Sequence, residues 1–323
     1  MSKKRVPHTR SRKTGGKDKN HITGSSSKRA KKQPISQSSN LPSEAAVMPS
    51  VVRFAGVALS GAKADRTALT VLEYYPGPAR LFLKHAHLKI QSKEDSTADS
   101  QLLNLIQEMG PELQLIGIDA PLSLPLCLNC GVQCESYETC TAEHNVWMRA
   151  AHLNQKKKKK RTKHYTPYTD RCVEYYVSHM LEEPFEMQHA LGANNAPLAA
   201  RATYLVPRLP CRVVEVFPQL SLWRIGLGLR LAKSHLRFFK HSPESSESRH
   251  VFLREISKQG SLFVYQQDLH RLIDSPQGFN SLICALTAFL SYHGQSEEKP
   301  KNFPSREGWV EFPRQSYVWP PPD

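Results

Sequence analysis

Residues 113–121 read LQLIGIDAP, a short apolar run that closes on a carboxylate, Asp119, and breaks into a turn at Ala120-Pro121. A run of that length bounded by turn residues predicts a buried strand. Upstream, Ala98, Leu102, Leu105, Ile106 and Met109 recur at helical spacing, and Gly110-Pro111 stops the helix. Three further strand patterns precede that helix: VVRFAGVAL (51–59), TALTVLEYY (67–75) and ARLFLKHAHL (79–88), with Pro76-Gly77-Pro78 between the last two. Short turns between them predict an antiparallel meander. A helix between strands normally crosses over onto the same sheet, so the order β-β-β-α-β predicts an α/β domain.

Downstream of Asp119, residues 121–165 read as irregular. Val173, Tyr176, Val177 and Met180 predict a helix, and Pro197 opens another that runs to Leu205. CRVVEVF (211–217) predicts a strand with Glu215 in its middle. Phe279, Leu282, Ile283, Leu286 and Leu290 form one apolar helical face. The end of the chain, through Gly308-Trp309 to Pro320–Pro322, predicts an extended strap over the domain.

The 323 residues carry 44 Lys+Arg against 29 Asp+Glu, a net charge of +15, unevenly placed. Residues 1–50 hold 12 Lys+Arg and two acids, and residues 155–163 hold seven Lys+Arg, leaving −2 on the remainder. This excludes a body that wraps nucleic acid over its whole surface and describes two basic segments on a near-neutral domain. The longest apolar stretch, LICALTAFL (282–290), is too short for a membrane span, and no apolar h-region follows the basic start. Residues 1–50 lack aromatic residues and are expected to be a disordered basic tail. The folded domain is expected over 51–313, with 121–165 as a Cys- and Lys-rich insertion and 314–323 as an extended tail. A split into two subdomains within the insertion is the competing organisation. The expected setting is a soluble, reducing compartment: cytoplasmic, or nuclear in a eukaryote.

Asp119 lies where a strand exits into a turn, the place where open α/β sheets keep ligands; capping that turn is the plain alternative. Glu215 leaves an otherwise apolar strand and needs a partner, either a metal or an arginine such as Arg201 or Arg212. Cys127, Cys130, Cys134 and Cys140 crowd into fourteen residues, a set suited to one tetrahedral zinc. Iron–sulfur ligation or unmetallated thiols are the alternatives. Cys172, Cys211 and Cys284 sit in helix or strand patterns and read as small core residues. His85 and His87 share a strand face without composing a convincing site, and His144 and His152 flank the Cys loop, where either could replace a sulfur.

Five segments in order resemble the DUF429 family, a predicted nuclease group with a ribonuclease H-like fold. They are GVALSGAK (56–63), IGIDAPLSLP (116–125), TPYTDRCVE (166–174), GANNAPLAAR (192–201) with VVEVFPQLSLWRIG (213–226), and FNSLICALTAFL (279–290) with FPSREGWVEFP (303–313). The resemblance implies a ribonuclease H-like mixed sheet flanked by helices, with carboxylates gathered at strand ends. It also implies a pair of Mg²⁺ or Mn²⁺ ions for metal-dependent phosphodiester hydrolysis. Asp119 and Glu215 match the family's acidic positions as catalytic residues and metal ligands. The first strand, where the family reads Gly-Ile-Asp, here reads Gly56-Val57-Ala58. The closing helix, where it reads Phe-Asp-Ala, reads Phe279-Asn280-Ser281. Asn280 offers a neutral oxygen and Ala58 none, so the sequence predicts very slow or absent cleavage. An inactive nuclease-fold module gripping nucleic acid or a protein is the alternative to the enzyme. Asp65 and Asp170 are substitutes without a spacing argument. Lys63 and Arg201 match family positions and could meet phosphate, or form ion pairs instead.

KRAKK (28–32) and the run Lys156, Lys157, Lys158 to Arg161 resemble nuclear-import or phosphate-binding segments. No aromatic platform interleaves with either. The binding expected of them is to nucleic acid, sequence-tolerant and salt-sensitive.

Overall fold

Val52–Ala58 (β1), Thr67–Tyr75 (β2) and Arg80–Ile90 (β3) form the expected antiparallel meander in a computed structural model of the chain. The structure describes residues 51–61, 64–157, 164–181, 183, 185–237, 244–258 and 262–321. The basic tail 1–50, Lys63, and Lys158 with the rest of its run to Lys163 lie outside the described residues, as do the side chains of Lys156 and Lys157.

Ala98–Gln107 (α1) follows β3. Its N-cap, Thr97, accepts the Ser100 N–H at 3.1 Å. The turn after it passes through Gly110 at φ +71°, a conformation that glycine takes without a Cβ penalty. The chain then enters Leu113–Ile118 (β4), parallel to β1, and Arg212–Val216 (β5) lies parallel to β4. Two short strands, Leu262–Phe263 (β6) and Val310–Glu311 (β7), complete the order β6-β3-β2-β1-β4-β5-β7. The fold is a mixed α/β sheet of seven strands flanked by helices, with β1 and β5 in one sheet and the described residues in one compact unit.

The remaining helices are Glu143–Lys157 (α2), Cys172–His179 (α3), Ala196–Leu205 (α4), Pro218–Gly228 (α5), Lys233–Arg237 (α6), Ser245–Lys258 (α7), Gln266–Asp274 (α8) and Pro276–Tyr292 (α9). Strand alternation divides the core. Val52 and Phe54 of β1 pack in the layer of α5, α7 and α9, whereas Ala55 and Val57 pack in the layer of α1 and α4. A third cluster joins Met148 and Ala151 of α2 to Val173 and Val177 of α3, and to Phe303 and Phe312 near the C-terminus.

α9 is buried from Gly278 through Leu290, and each of its large apolar side chains contributes about 1.5–3 kcal/mol by leaving water. It lies directly on the sheet because two strand positions facing it are glycine. A Cβ at Gly56 would collide with the Ser281 carbonyl and the Ala285 nitrogen, and one at Gly117 with the Cys284 carbonyl. That close approach sets the position of the first turns of α9, which carry Gln277 and Asn280.

The insertion is less irregular than its sequence suggests, since α2 fills much of its second half. The buried positions of α2 include His144, Met148, Ala151, His152 and Gln155, so a helical period is present but carried largely by polar residues. α5 also escaped the apolar pattern, because Leu220, Ser221, Leu222, Trp223 and Ile225 bury it on all sides. The C-terminal strap is held by Tyr317, whose buried hydroxyl donates to the Ile225 carbonyl at 2.7 Å. Among the described residues no helix is long and apolar enough to cross a membrane.

Candidate functional site

β1, β4 and β5 run parallel, so their C-terminal ends open along one edge of the sheet. A cleft of about 340 Å³ lies there, lined by Asp119, Glu215, Gln277 and Asn280 among others. Asp119 continues the ladder past β4: its N–H donates to the Val57 carbonyl at 2.9 Å. Asn280, 2% exposed, donates its amide to Asp119 Oδ2 at 3.3 Å, and its Oδ1 has no hydrogen-bond partner among the described residues. At the end of β1, the Gln277 amide donates to the carbonyls of Ala58 and Leu59, both at 3.0 Å. Where the family resemblance puts a carboxylate, this chain has a methyl group and a glutamine that caps the strand.

Glu215 has the arginine partner that its buried position demands, and it is neither Arg201 nor Arg212. Arg171 Nη1 and Nη2 donate to Glu215 Oε2 and Oε1, each at 2.7 Å, and the Leu122 N–H donates to Oε2 at 2.8 Å. Arg171 is completely buried. Its Nε donates to Glu174 Oε1 at 2.7 Å, its N–H to Glu174 Oε2 at 3.0 Å, and Nη1 also reaches Ser123 Oγ at 3.2 Å. Burial opposes charge on Arg171, but Glu215 and Glu174 overcome it and raise the guanidinium pKa further. For Glu174, burial pushes the carboxyl up, while His189 and Arg171 outweigh it and hold it below the ordinary carboxylate value. Glu307, near the same cluster, is pushed up to about 7 by burial, against the pull of Arg171.

Both matched acids line this cleft: Glu215 projects from β5, where it pairs with Ile118, and Asp119 follows directly after the end of β4. Ala58 supplies no ligand, Arg171 occupies both oxygens of Glu215, and Asn280 turns a donor toward Asp119. Asp119 and Asn280 are what remain of the expected set.

The other sequence candidates are engaged elsewhere. Arg201 pairs with Asp99 and donates to the Ser60 carbonyl and to Thr67 Oγ1, a structural clamp between α4, α1 and the end of β1. Asp65 accepts from the Ser92 N–H and hydroxyl at 3.1 and 3.0 Å. Asp170 is buried: it accepts the Thr166 N–H at 2.7 Å and meets His189 Nδ1 at 2.8 Å. His152 Nδ1 meets the Tyr175 hydroxyl at 3.3 Å, and His144 Nε2 has no partner among the described residues. Cys172 and Cys284 are core residues, and Cys211 is half-buried.

Cys127, Cys130, Cys134 and Cys140 are all free thiols on the loop before α2. They interact with one another: Cys134 hydrogen-bonds with Cys140, and Cys127 senses the charges of Cys130 and Cys140. Cys140 is buried at the start of α2, where the Ala142 N–H lowers its thiol pKa against the effect of burial. Among the described residues no group of three or more His, Cys, Asp or Glu side chains is arranged to hold a metal ion as it stands.

A family model described as "Protein of unknown function (DUF429)" matches residues 64–304. The chain belongs to the DUF429 family. The matched span begins after β1 and includes Asp119, Arg171, Glu215 and Asn280. Comparison with curated proteins and with solved structures returned no match.

The residues that sequence reasoning overlooked are Arg171, Glu174, Gln277 and Glu307. A signal for the first two was present. Arg171 and Glu174 stand three apart at a helix start, the spacing of a capping box, and the Glu174 half of it forms, since the Arg171 N–H donates to Glu174 Oε2; the guanidinium has no acceptor with which to make the other half. An arginine at the N-cap is disfavoured by the helix dipole, so only the buried acids on either side explain its presence.

Proposed function

We propose that this DUF429 chain is a nucleic-acid-binding module on a ribonuclease H-like scaffold whose strand-end cleft does not carry out two-metal phosphodiester hydrolysis. The observation that carries the reading is the closure of Arg171 onto both oxygens of Glu215. A carboxylate held this way has its charge balanced and three of its four lone-pair sites taken, so a divalent ion would have to compete with a fully buried guanidinium to bind it. Binding is assigned to the basic segments at 1–50 and 155–163 because charge of that density on a near-neutral body attracts phosphate by releasing counterions, without reading sequence.

A second reading, a metal-dependent nuclease using Mg²⁺ or Mn²⁺, is favoured by one observation. Asp119 and Asn280 stand side by side in the cleft at 3.3 Å, and a hard cation accepts both a carboxylate and an amide oxygen.

The test uses labelled single-stranded, duplex and hybrid substrates with the full chain, Asp119→Asn and Ala58→Asp, measuring binding by anisotropy and cleavage with Mg²⁺ or Mn²⁺. The proposal expects salt-sensitive binding in all three and no cleavage by the native chain. Cleavage by the native chain that is lost in Asp119→Asn establishes the nuclease reading. Absence of binding at low salt removes the nucleic-acid assignment.

A further inference from the structure

The cysteine loop plays no part in the strand-end cleft, and its chemistry is of a different kind. Cys127 and Cys130 have the two-residue spacing of a metal knuckle, and Cys134 and Cys140 follow within the same fourteen residues. The loop folds back so that these thiols already sense one another. It has little core of its own, since Leu124, Leu128 and Val132 are exposed.

The second observation is Asn145, in the first turn of α2 and 0% exposed. Its amide has the thiols of Cys127 and Cys140 as its hydrogen-bond partners, at a geometry too loose to satisfy fully either its nitrogen or its oxygen. A fully buried amide whose partners are weak is costly. Beside thiols it gains little, because a neutral S–H is a weak acceptor. Beside zinc-bound thiolates the same N–H would donate to an anionic sulfur, the usual way in which outer groups orient metal ligands. The Ala142 N–H, which already reaches Cys140, would act in the same sense.

From these residues we infer that Cys127, Cys130, Cys134 and Cys140 bind a structural zinc ion, with Asn145 donating to its sulfurs. Binding releases the thiol protons and draws exposed Cys134 inward to complete a tetrahedral set. The ion would fix the start of α2, which is tied to its surroundings by Arg149, Glu143 and Trp147. Arg149 donates to the carbonyls of Glu138 and Cys140, Glu143 accepts from the Ser305 N–H and hydroxyl, and Trp147 packs on Phe303 at 5.2 Å. α2 leads in sequence directly into the Lys156–Lys163 run, so the zinc loop would anchor the base of that basic segment.

The test is metal analysis of the full chain after exposure to zinc, together with cobalt substitution. The expected result is about one zinc ion per chain and the charge-transfer and ligand-field bands of tetrahedral thiolate coordination with cobalt. Cys134→Ser is the decisive variant: Cys134 is exposed and carries no core packing, so the protein folds whether or not it binds metal. It should lose the tetrathiolate spectrum. Asn145→Ala should weaken zinc by about 10–100-fold while leaving the cobalt bands tetrahedral, and Cys211→Ser should change nothing. Three results would overturn the inference: no zinc and no cobalt bands in the native chain, an iron–sulfur chromophore in place of zinc, or full zinc retention in Cys134→Ser.

Discussion

Replacing Arg171 with methionine, which keeps much of the volume and removes the charge, tests the network that closes the cleft. Glu215 would lose two of its three hydrogen-bond donors and keep only the Leu122 N–H. Glu174 would lose one and keep the Ala190 N–H at 2.8 Å and the residue-171 N–H. The damage therefore falls mainly on Glu215, which is 3% exposed. Breaking a buried ion pair by removing one partner costs about 3–5 kcal/mol, and the missing charge-assisted bond to Glu174 adds about 1.5 kcal/mol. The expected loss is about 5 kcal/mol, against a typical domain stability of about 5–15 kcal/mol. Arg171→Met should thus be barely folded. Adding Glu215→Gln removes the orphaned charge while keeping an acceptor for Leu122, and should recover about 2 kcal/mol. Urea unfolding, followed by tryptophan fluorescence through buried Trp223 and by far-ultraviolet circular dichroism, gives both numbers. A loss below about 1 kcal/mol for Arg171→Met would refute the reasoning, as would rescue of that variant by Mg²⁺ alone, since the ion would then be the natural partner of Glu215.

Other consequences are separately measurable. Glu307, raised from the ordinary 4.5 to about 7 by burial, keeps its proton in the folded chain over a range where the unfolded chain has released it. The native protein should therefore lose up to about 3 kcal/mol of stability between pH 4.5 and 7 relative to Glu307→Gln, measured by urea midpoints across pH; a pH-independent difference would contradict this. The depressed Glu174 works in the opposite sense and below that window, its contribution disappearing as pH falls under 4.5. Gly56→Ala should cost at least about 3 kcal/mol, because its Cβ meets backbone of α9 that has nowhere to go, and a near-neutral thermal shift would argue against the close seat of that helix. Tyr317→Phe should cost about 1 kcal/mol by removing the hydroxyl bond to the Ile225 carbonyl, which keeps only the Leu229 N–H. Replacing the basic residues of 156–163 with glutamines should flatten the salt dependence of nucleic-acid affinity by about 0.9 log units per log unit of salt for each phosphate no longer neutralised.

The core of this fold could be read from the chain because its physics is local and repetitive. β1 to β4 announce themselves by apolar runs between turn residues, and α9 by an unbroken apolar face that ends up wholly buried. The parts that escaped are those in which burial is not carried by apolar periodicity. α2 buries histidines, an asparagine and a glutamine, and α5 is buried around its whole circumference. Neither gives the contrast between two faces on which pattern reading depends. The pairing of Arg171 with Glu215 escaped for another reason. Charge complementarity identifies a required partner without choosing among arginines, and only tertiary placement brings α3 rather than α4 or β5 to that carboxylate.

The same distinction explains how the strand-end cleft holds its shape whatever occupies it. Its shape rests on Gly56 and Gly117, which seat α9 against β1 and β4, and on Gln277, which ties that helix to the end of β1. None of these contacts needs a carboxylate at position 58. Asp119 is held by the Val57 carbonyl through its backbone and by Asn280 through its side chain, so it remains in place with a neutral neighbour. An aspartate at Asn280 would set a like charge beside Asp119, and without a cation to offset it one of the two would be driven to protonate. Asparagine there makes the cleft stable in the absence of metal. The Arg171–Glu215 pair does the same within the cleft, balancing within the protein a charge that a metal centre would leave for its ions.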